Sequence, residues 1–190
     1  MAIATGSVVI IGSGPGGYEA ALVARQLGAT VTLIDRDGIG GSAVLTDCVP
    51  SKALIATSNA MLAVADSGNL GVLINGLPPI TSELSVNLAT VNARVRALAQ
   101  AQSDDISLSL QREGIAILQG SGSFIDEDTI SVSKNDGTTE TIHFDVALIA
   151  TGARPRILDS AAPDGERILT WDQVYDLDEL PENLIVVGSG

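Results

Sequence analysis

The sequence predicts an α/β protein, a parallel sheet flanked by helices with a small antiparallel β-meander inserted into it. Three observations carry that expectation. Residues 7 to 35 read as strand, helix, strand, a glycine string occupies the first strand-to-helix junction, and from Gly120 to Asp145 the apolar spacing changes to alternation.

Residues 7 to 12 are a β-branched apolar run ending in glycine, 15 to 28 carry helical spacing, and 30 to 35 form a second apolar run, together a βαβ unit. After Gly40-Gly41, an Ala/Leu-rich segment from about Val44 to Ala65 reads as a helix that Pro50 interrupts or kinks. Glycines and the Pro78-Pro79 pair place a surface loop at 66 to 80, and a long helix is expected from Ser85 to Arg112, closed by Gly114. Ile115 to Leu118 reads as the next parallel strand. Thr129 to Lys134 and Thr139 to Phe144 alternate around an Asn135-Asp136-Gly137 turn, and Val146 to Ala150 returns to an all-apolar strand.

A chain of 190 residues with 45% hydrophobic content can bury a core, which excludes a disordered protein. The formal charge of −13 repels phosphate backbones and anionic lipid heads, so no nucleic-acid partner is expected. The acidic runs Asp126 to Asp128 and Asp176 to Glu182 read as solvated faces. Apolar stretches are short, as in Val8 to Ile11, and the N-terminus carries no basic region followed by a long apolar core; the expectation is a cytoplasmic protein without membrane insertion. With Cys48 the only cysteine, neither a disulfide framework nor a Cys-rich metal site can form, and no metal is expected.

The glycine string Gly12-Ser13-Gly14-Pro15-Gly16-Gly17 supplies G-x-G-x-x-G between a strand and a helix. In this Rossmann-like arrangement Gly12 permits the tight turn, Gly14 lets backbone N–H groups approach a pyrophosphate, and Gly17 allows close helix–strand packing. The helix N-terminus then faces the negative charge. Asp35, ending the second strand, stands where an acid can accept hydrogen bonds from an adenosine ribose. By itself this fingerprint does not separate FAD from NAD.

The segment Gly40-Gly41-Ser42-Ala43-Val44-Leu45-Thr46-Asp47-Cys48-Val49-Pro50-Ser51-Lys52 resembles the active-site segment G-G-T-C-x4-C-V-P-S-K of the pyridine nucleotide-disulfide oxidoreductases. Ile149-Ala150-Thr151-Gly152-Ala153 is similar to the second FAD motif of that family. The resemblance implies FAD as cofactor, with the turn from Gly12 through Pro15 and Gly16 to Gly17 holding the pyrophosphate, and Asp35 with its neighbour Arg36 at the ribose. It further implies Gly41, Ser42 and Lys52 at the flavin end, and Ala150, Thr151 and Gly152 along a cofactor edge. The main chain of Gly120-Ser121-Gly122 would lie beside the adenine.

The chain departs from the family pattern at one chemically decisive position. Dithiol–disulfide exchange needs an outer thiol to attack the substrate, and that position is Ala43. Direct transfer from reduced flavin to a small-molecule acceptor remains open, since the flavin carries that chemistry itself. The whole segment resembles the NAD(P)H:quinone reductase branch, whose members are often labelled dihydrolipoyl dehydrogenase. A quinone-type acceptor is therefore expected. Cys48 matches the flavin-side cysteine and is read as packing there, with a redox role as the alternative. In the resembling family Lys52 lies beside the flavin ring, where a cation stabilises negative charge on the reduced cofactor. His143, the sole histidine, is assigned no catalytic role, and Trp171 reads as packing.

Leu184 to Val187 followed by Gly188-Ser189-Gly190 repeats the logic of the first motif. The expected organisation is an FAD-binding domain over 1–152, with the meander at 120–145, then a connection and the first strand of an uncompleted NAD(P)H-binding domain over 153–190. The chain then reads as the N-terminal portion of a longer parent that uses NAD(P)H and forms a homodimer. The portion alone is expected to be inactive. Three alternatives stand beside this reading: a dihydrolipoyl dehydrogenase with a displaced thiol beyond Gly190, a non-catalytic FAD-binding module, and a short dehydrogenase with NAD in the first site.

Overall fold

A computed structural model describes residues 6–188; Ser189 and Gly190 of the second glycine motif lie outside the described residues. The chain divides into two compact units, one formed by the segments up to Pro50 and Leu98–Arg156, the other by Ser51–Ala97 and the segment from Ile157 onward. The stretch 51–97 belongs with the second unit.

In the first unit, β1 (Ser7–Ile11), α1 (Pro15–Gln26) and β2 (Thr30–Asp35) form the expected βαβ unit, with β1 parallel to β2 from Ser7↔Thr30 to Ile11↔Ile34. The β-branched run of β1 suits a central strand covered on both faces. Successive side chains point to opposite sides, and the core divides accordingly. Ile10, Val31 and Leu33 pack with Ala21 of α1 and with Leu110, while Val9 and Ile34 pack on the other face with Ile130, Val132 and Phe144.

The chain continues through α2 (Gly41–Leu45) and α3 (Cys48–Asp66). The sequence expectation of one helix broken at Pro50 is corrected here. The break lies at Thr46-Asp47, whose N–H groups both close on the Ser42 carbonyl at 3.0 and 2.7 Å. Pro50 falls in the first turn of α3, where its missing N–H costs no helical bond. By length and composition alone the segment Gly41–Leu70, with mean hydropathy 1.3 over its most apolar 18-residue window, could cross a membrane.

α4 (Leu88–Arg112) starts three residues later than expected; Asn87 accepts the Thr90 N–H at 2.9 Å and so caps it. Gly114 then turns the chain at φ +74°. The following strand differs most from expectation. β3 (Ala116–Asp126) runs without interruption, pairing parallel with β2 from Thr32↔Ala116 to Asp35↔Gln119 and antiparallel with β4 (Thr129–Lys134) from Gly120↔Lys134 onward. Gly120 marks the change of partner, and a Cβ there would run into the Ser133 carbonyl oxygen. β5 (Thr139–His143) completes the meander and β6 (Val146–Ile149) pairs parallel with β1, giving the order β5-β4-β3-β2-β1-β6. β6 is an edge strand with Val146 and Ile149 exposed, although its composition suits a buried one. Ser7 and Asp145 lock its entry: the Ser7 N–H and hydroxyl donate to Asp145 Oδ2 at 2.7 and 2.8 Å, and these bonds hold the carboxyl below its usual range.

Within the second unit, Asn92 and Arg96 of α4 donate to the carbonyls of Leu177 and Tyr175, both at 2.9 Å, and anchor a 3-10 helix at Trp171–Asp176. The strand expected at Leu184–Val187 does not form. These residues adopt neither helix nor strand and Ile185 is 87% exposed. A strand requires a neighbour's N–H and C=O groups, and no described strand lies beside this run.

Candidate functional site

The carboxyl ends of β1, β2 and β6 and the middle of β3 converge on one cleft of about 400 Å³. In open α/β sheets this is the end at which ligands bind, because the strands stop there and the loops diverge. Its apolar floor is Ile11 and Ile34, its walls are Gly12, Asp35 and Gly120 to Gly122, and its far rim is Thr151 to Arg154.

Local sequence explains the shape. Gly12 takes φ +101°, and a Cβ on it would run into the Ala150 carbonyl oxygen. At Gly17 a Cβ would collide with the Gly12 carbonyl oxygen, so only glycine lets α1 approach the turn so closely. Gly14 and Gly16 are different: a Cβ at either would meet nothing within 4 Å, which leaves the helix start open. Gly14 is the N-cap with no side-chain cap, Pro15 is the first helical residue, and no acidic residue stands in the first turn. The positive end of α1 is therefore left for an anion to meet.

Gly40 and Gly41, at φ +100° and +57°, bring the start of α2 against this turn. A Cβ on Gly41 would lie 2.8 Å from Gly14 Cα, so the two glycine segments touch backbone to backbone and carry Ser42 to the same end of the molecule. Gly122 leaves ordinary contact distance, 3.4 Å, between its would-be Cβ and the tips of Ile11 and Ile34. These residues fit an extended group with a flat apolar end and a charged middle, since main-chain donors and uncrowded apolar surface lie side by side.

Charge within the cleft is organised by the loop after β2. Asp35 Oδ2 accepts the Ser13 N–H and Ser13 hydroxyl, both at 2.7 Å, and Oδ1 accepts the N–H groups of Asp37 and Gly38 at 2.8 and 3.1 Å. Arg36 turns outward in a two-point pair with Asp37, both distances 2.8 Å. The hydrogen bond from Arg36 holds the Asp37 carboxyl below its usual range, the Arg36 and Arg154 charges adding to it against desolvation, and raises the Arg36 guanidinium in turn.

The cleft gathers Gly12, Asp35, Arg36, Gly120, Gly122, Thr151 and Gly152, with Ala150 beneath and Gly14 to Gly17 alongside. Cys48 and Lys52 ride on α3, one turn apart and both exposed. His143 belongs to the meander, its Nδ1 at 3.0 Å from the Thr129 hydroxyl. Sequence reasoning missed Ser13, Asp37 and Arg154. Ser13 was only the x of G-x-G, and nothing in a linear reading shows that it is 0% exposed.

In sequence and fold the chain is similar to known proteins. The family described as pyridine nucleotide-disulphide oxidoreductase matches residues 6–190. A Mycobacterium tuberculosis protein named NAD(P)H dehydrogenase (quinone) is 48% identical over 96% of this chain. A dihydrolipoyl dehydrogenase of Chlorobaculum parvum is 33% identical over 96% of it. The crystal structure of LpdA from Mycobacterium tuberculosis superposes with a TM-score of 0.83 at 46% identity, over 93% of this chain and 38% of LpdA. The chain spans about 38% of the length of both curated relatives.

Proposed function

Because the chain belongs to the pyridine nucleotide-disulphide oxidoreductase family, we propose that it is the FAD-binding portion of a flavoprotein that passes electrons from NAD(P)H through FAD to a quinone-type acceptor. The observation that carries this reading is the cleft at the strand ends, flanked by an uncapped helix start and by two glycine segments in backbone contact.

In this reading the turn from Gly12 to Gly17 binds the pyrophosphate at the start of α1, and Asp35, with Arg36 beside it, meets the ribose. Gly120 and Gly122 lie along the adenine, Gly41 and Ser42 lead to the flavin end, and Ala150, Thr151 and Gly152 form an edge. FAD bound there would supply two-electron transfer. Lys52 contributes a cation against the negative charge of the reduced cofactor, and Cys48 packs at the flavin side. Ala43 in the outer position offers no thiol for exchange with a disulfide substrate, which favours an acceptor that needs none. A dihydrolipoyl dehydrogenase activity is the second reading, supported by the Chlorobaculum relative, and it requires a thiol from outside these residues.

The same proposal includes a cytoplasmic location, a homodimeric parent and no membrane insertion. Asp47 between the two helices and Lys52 in the second turn of α3 support the last, since charge is costly in hydrocarbon. The net charge of −13 supports the absence of a nucleic-acid partner.

The decisive experiment is the visible spectrum of the purified chain before and after added FAD, then with NADH and a quinone. A flavin spectrum that NADH does not bleach supports an FAD-binding portion that lacks its reductant site. A chain that stays colourless when supplied with FAD overturns the cofactor assignment, provided circular dichroism shows it folded.

A further inference from the structure

Asp35 carries more protein hydrogen bonds than a ligand-binding carboxylate can keep. A carboxylate offers about four lone-pair positions, and the chain's own donors fill them: Ser13 N–H and Oγ–H on Oδ2, and the N–H groups of Asp37 and Gly38 on Oδ1. A ribose hydroxyl that donates to Asp35 must displace one of these. Three are main-chain N–H groups fixed by the fold of the loop. The fourth, the Ser13 hydroxyl, is a free rotor, and a second acceptor stands within its reach: the Gly38 carbonyl oxygen at 3.0 Å, against 2.7 Å to Asp35.

Ser13 has no other occupation. It is 0% exposed, its N–H is on Asp35 and its carbonyl accepts the Gly40 N–H at 3.0 Å. A serine wholly enclosed between two acceptors cannot itself touch a ligand, yet its proton can move from one acceptor to the other without displacing a heavy atom.

We propose that Ser13 is a positioning residue that gates Asp35: its hydroxyl donates to Asp35 while the ribose position is empty, and turns to the Gly38 carbonyl when a ribose hydroxyl takes its place on the carboxylate. No covalent bond changes. One charge-assisted hydrogen bond is exchanged for another and one neutral hydrogen bond is added, so entry of a hydroxyl-bearing ribose leaves no buried donor unpaired. A nucleotide lacking those hydroxyls gives the rotor no reason to turn. The gate rests on the reading of this cleft as the adenosine end of an FAD site.

The test uses ADP, which shares its adenosine and pyrophosphate with FAD, and 2′,3′-dideoxy-ADP. The full chain is labelled with carbonyl-13C glycine and 15N isoleucine. Only two Gly–Ile junctions occur, Gly38-Ile39 and Gly114-Ile115, so one resonance reports the gate and the other serves as reference. The Gly38 carbonyl should shift on saturation with ADP, hold its position with the dideoxy analogue, and hold its position in Ser13→Ala even with ADP bound. The dideoxy analogue should bind wild type roughly 10-fold more weakly. A Gly38 resonance that ignores ADP, or shifts equally with both nucleotides, overturns the gate while leaving the FAD reading intact. If neither ADP nor FAD binds the folded wild-type chain, the cofactor reading fails and the gate with it. The two-nucleotide comparison in wild type decides the question even where Ser13→Ala does not fold.

Discussion

Asp35 is expected from the sequence to be a ligand residue; what the structure shows is an organiser, its carboxylate holding the glycine turn and the loop after β2 in one network. Residue type and position suggested the first role; the second depends on where Ser13, Asp37 and Gly38 fall in space. Lys52 poses the opposite case, a residue whose proposed role comes from resemblance and whose surroundings are solvent. If the complete protein is the proposed flavoprotein, Lys52→Ala in it should slow flavin reduction on the order of tenfold, less than a buried donor is worth because the cation is exposed, with a smaller loss of FAD affinity. Stopped-flow reduction that is unchanged would refute the role. Asp164 yields a pH prediction. Its Oδ1 accepts the N–H groups of Ile168, Glu166 and Arg167, all at 2.9 Å, and these bonds lower its pKa from 3.8 to about 2. A depressed carboxylate contributes its stability fully above the unfolded value and loses it as pH falls through the folded one. The loop 164–168 should therefore keep its amide protection at pH 5 and lose it between about 4 and 2, as hydrogen exchange would show; Asp164→Asn should lose that acid transition.

At the scale of elements, the βαβ unit was legible because two periodicities and a glycine string agreed within 7 to 35, and local propensity and tertiary contact point the same way there. β3 was legible only in part. The sequence reads as a strand over 115 to 118 with a change to alternation from Gly120, whereas the structure uses Gly120 to let one strand change partners where the Ser133 backbone crowds it. Gly120→Val should therefore cost about 2 kcal/mol or more, the range for overpacking against backbone that cannot retreat, and urea denaturation should show it. A midpoint equal to wild type would mean that the meander can shift as a body. The helix after Gly41 was misjudged at Pro50 for a related reason. Proline breaks a helix interior but is tolerated in a first turn, and which of these applied depended on the Ser42 carbonyl capturing two N–H groups upstream.

For the whole molecule, the net charge bears on which partners it can meet. A charge of −13 spread over 190 residues predicts no retention on heparin at neutral pH and moderate ionic strength; retention that falls with salt would expose a cationic patch hidden by the total. The sequence by itself determined the fold class, the place of the glycine turn between β1 and α1 and the presence of a single cysteine, because strand and helix periods, glycine conformations and the presence of a sulfur atom are properties of short stretches of chain. Tertiary structure alone decided that Asp35 is saturated by Ser13 and its neighbours, that β6 lies at an edge, and that the apolar run 184–187 forms no strand. Each of those depends on what stands next to a residue in space. A hydrogen bond, like a strand, exists only where a partner distant in sequence brings its own donor or acceptor to the same place.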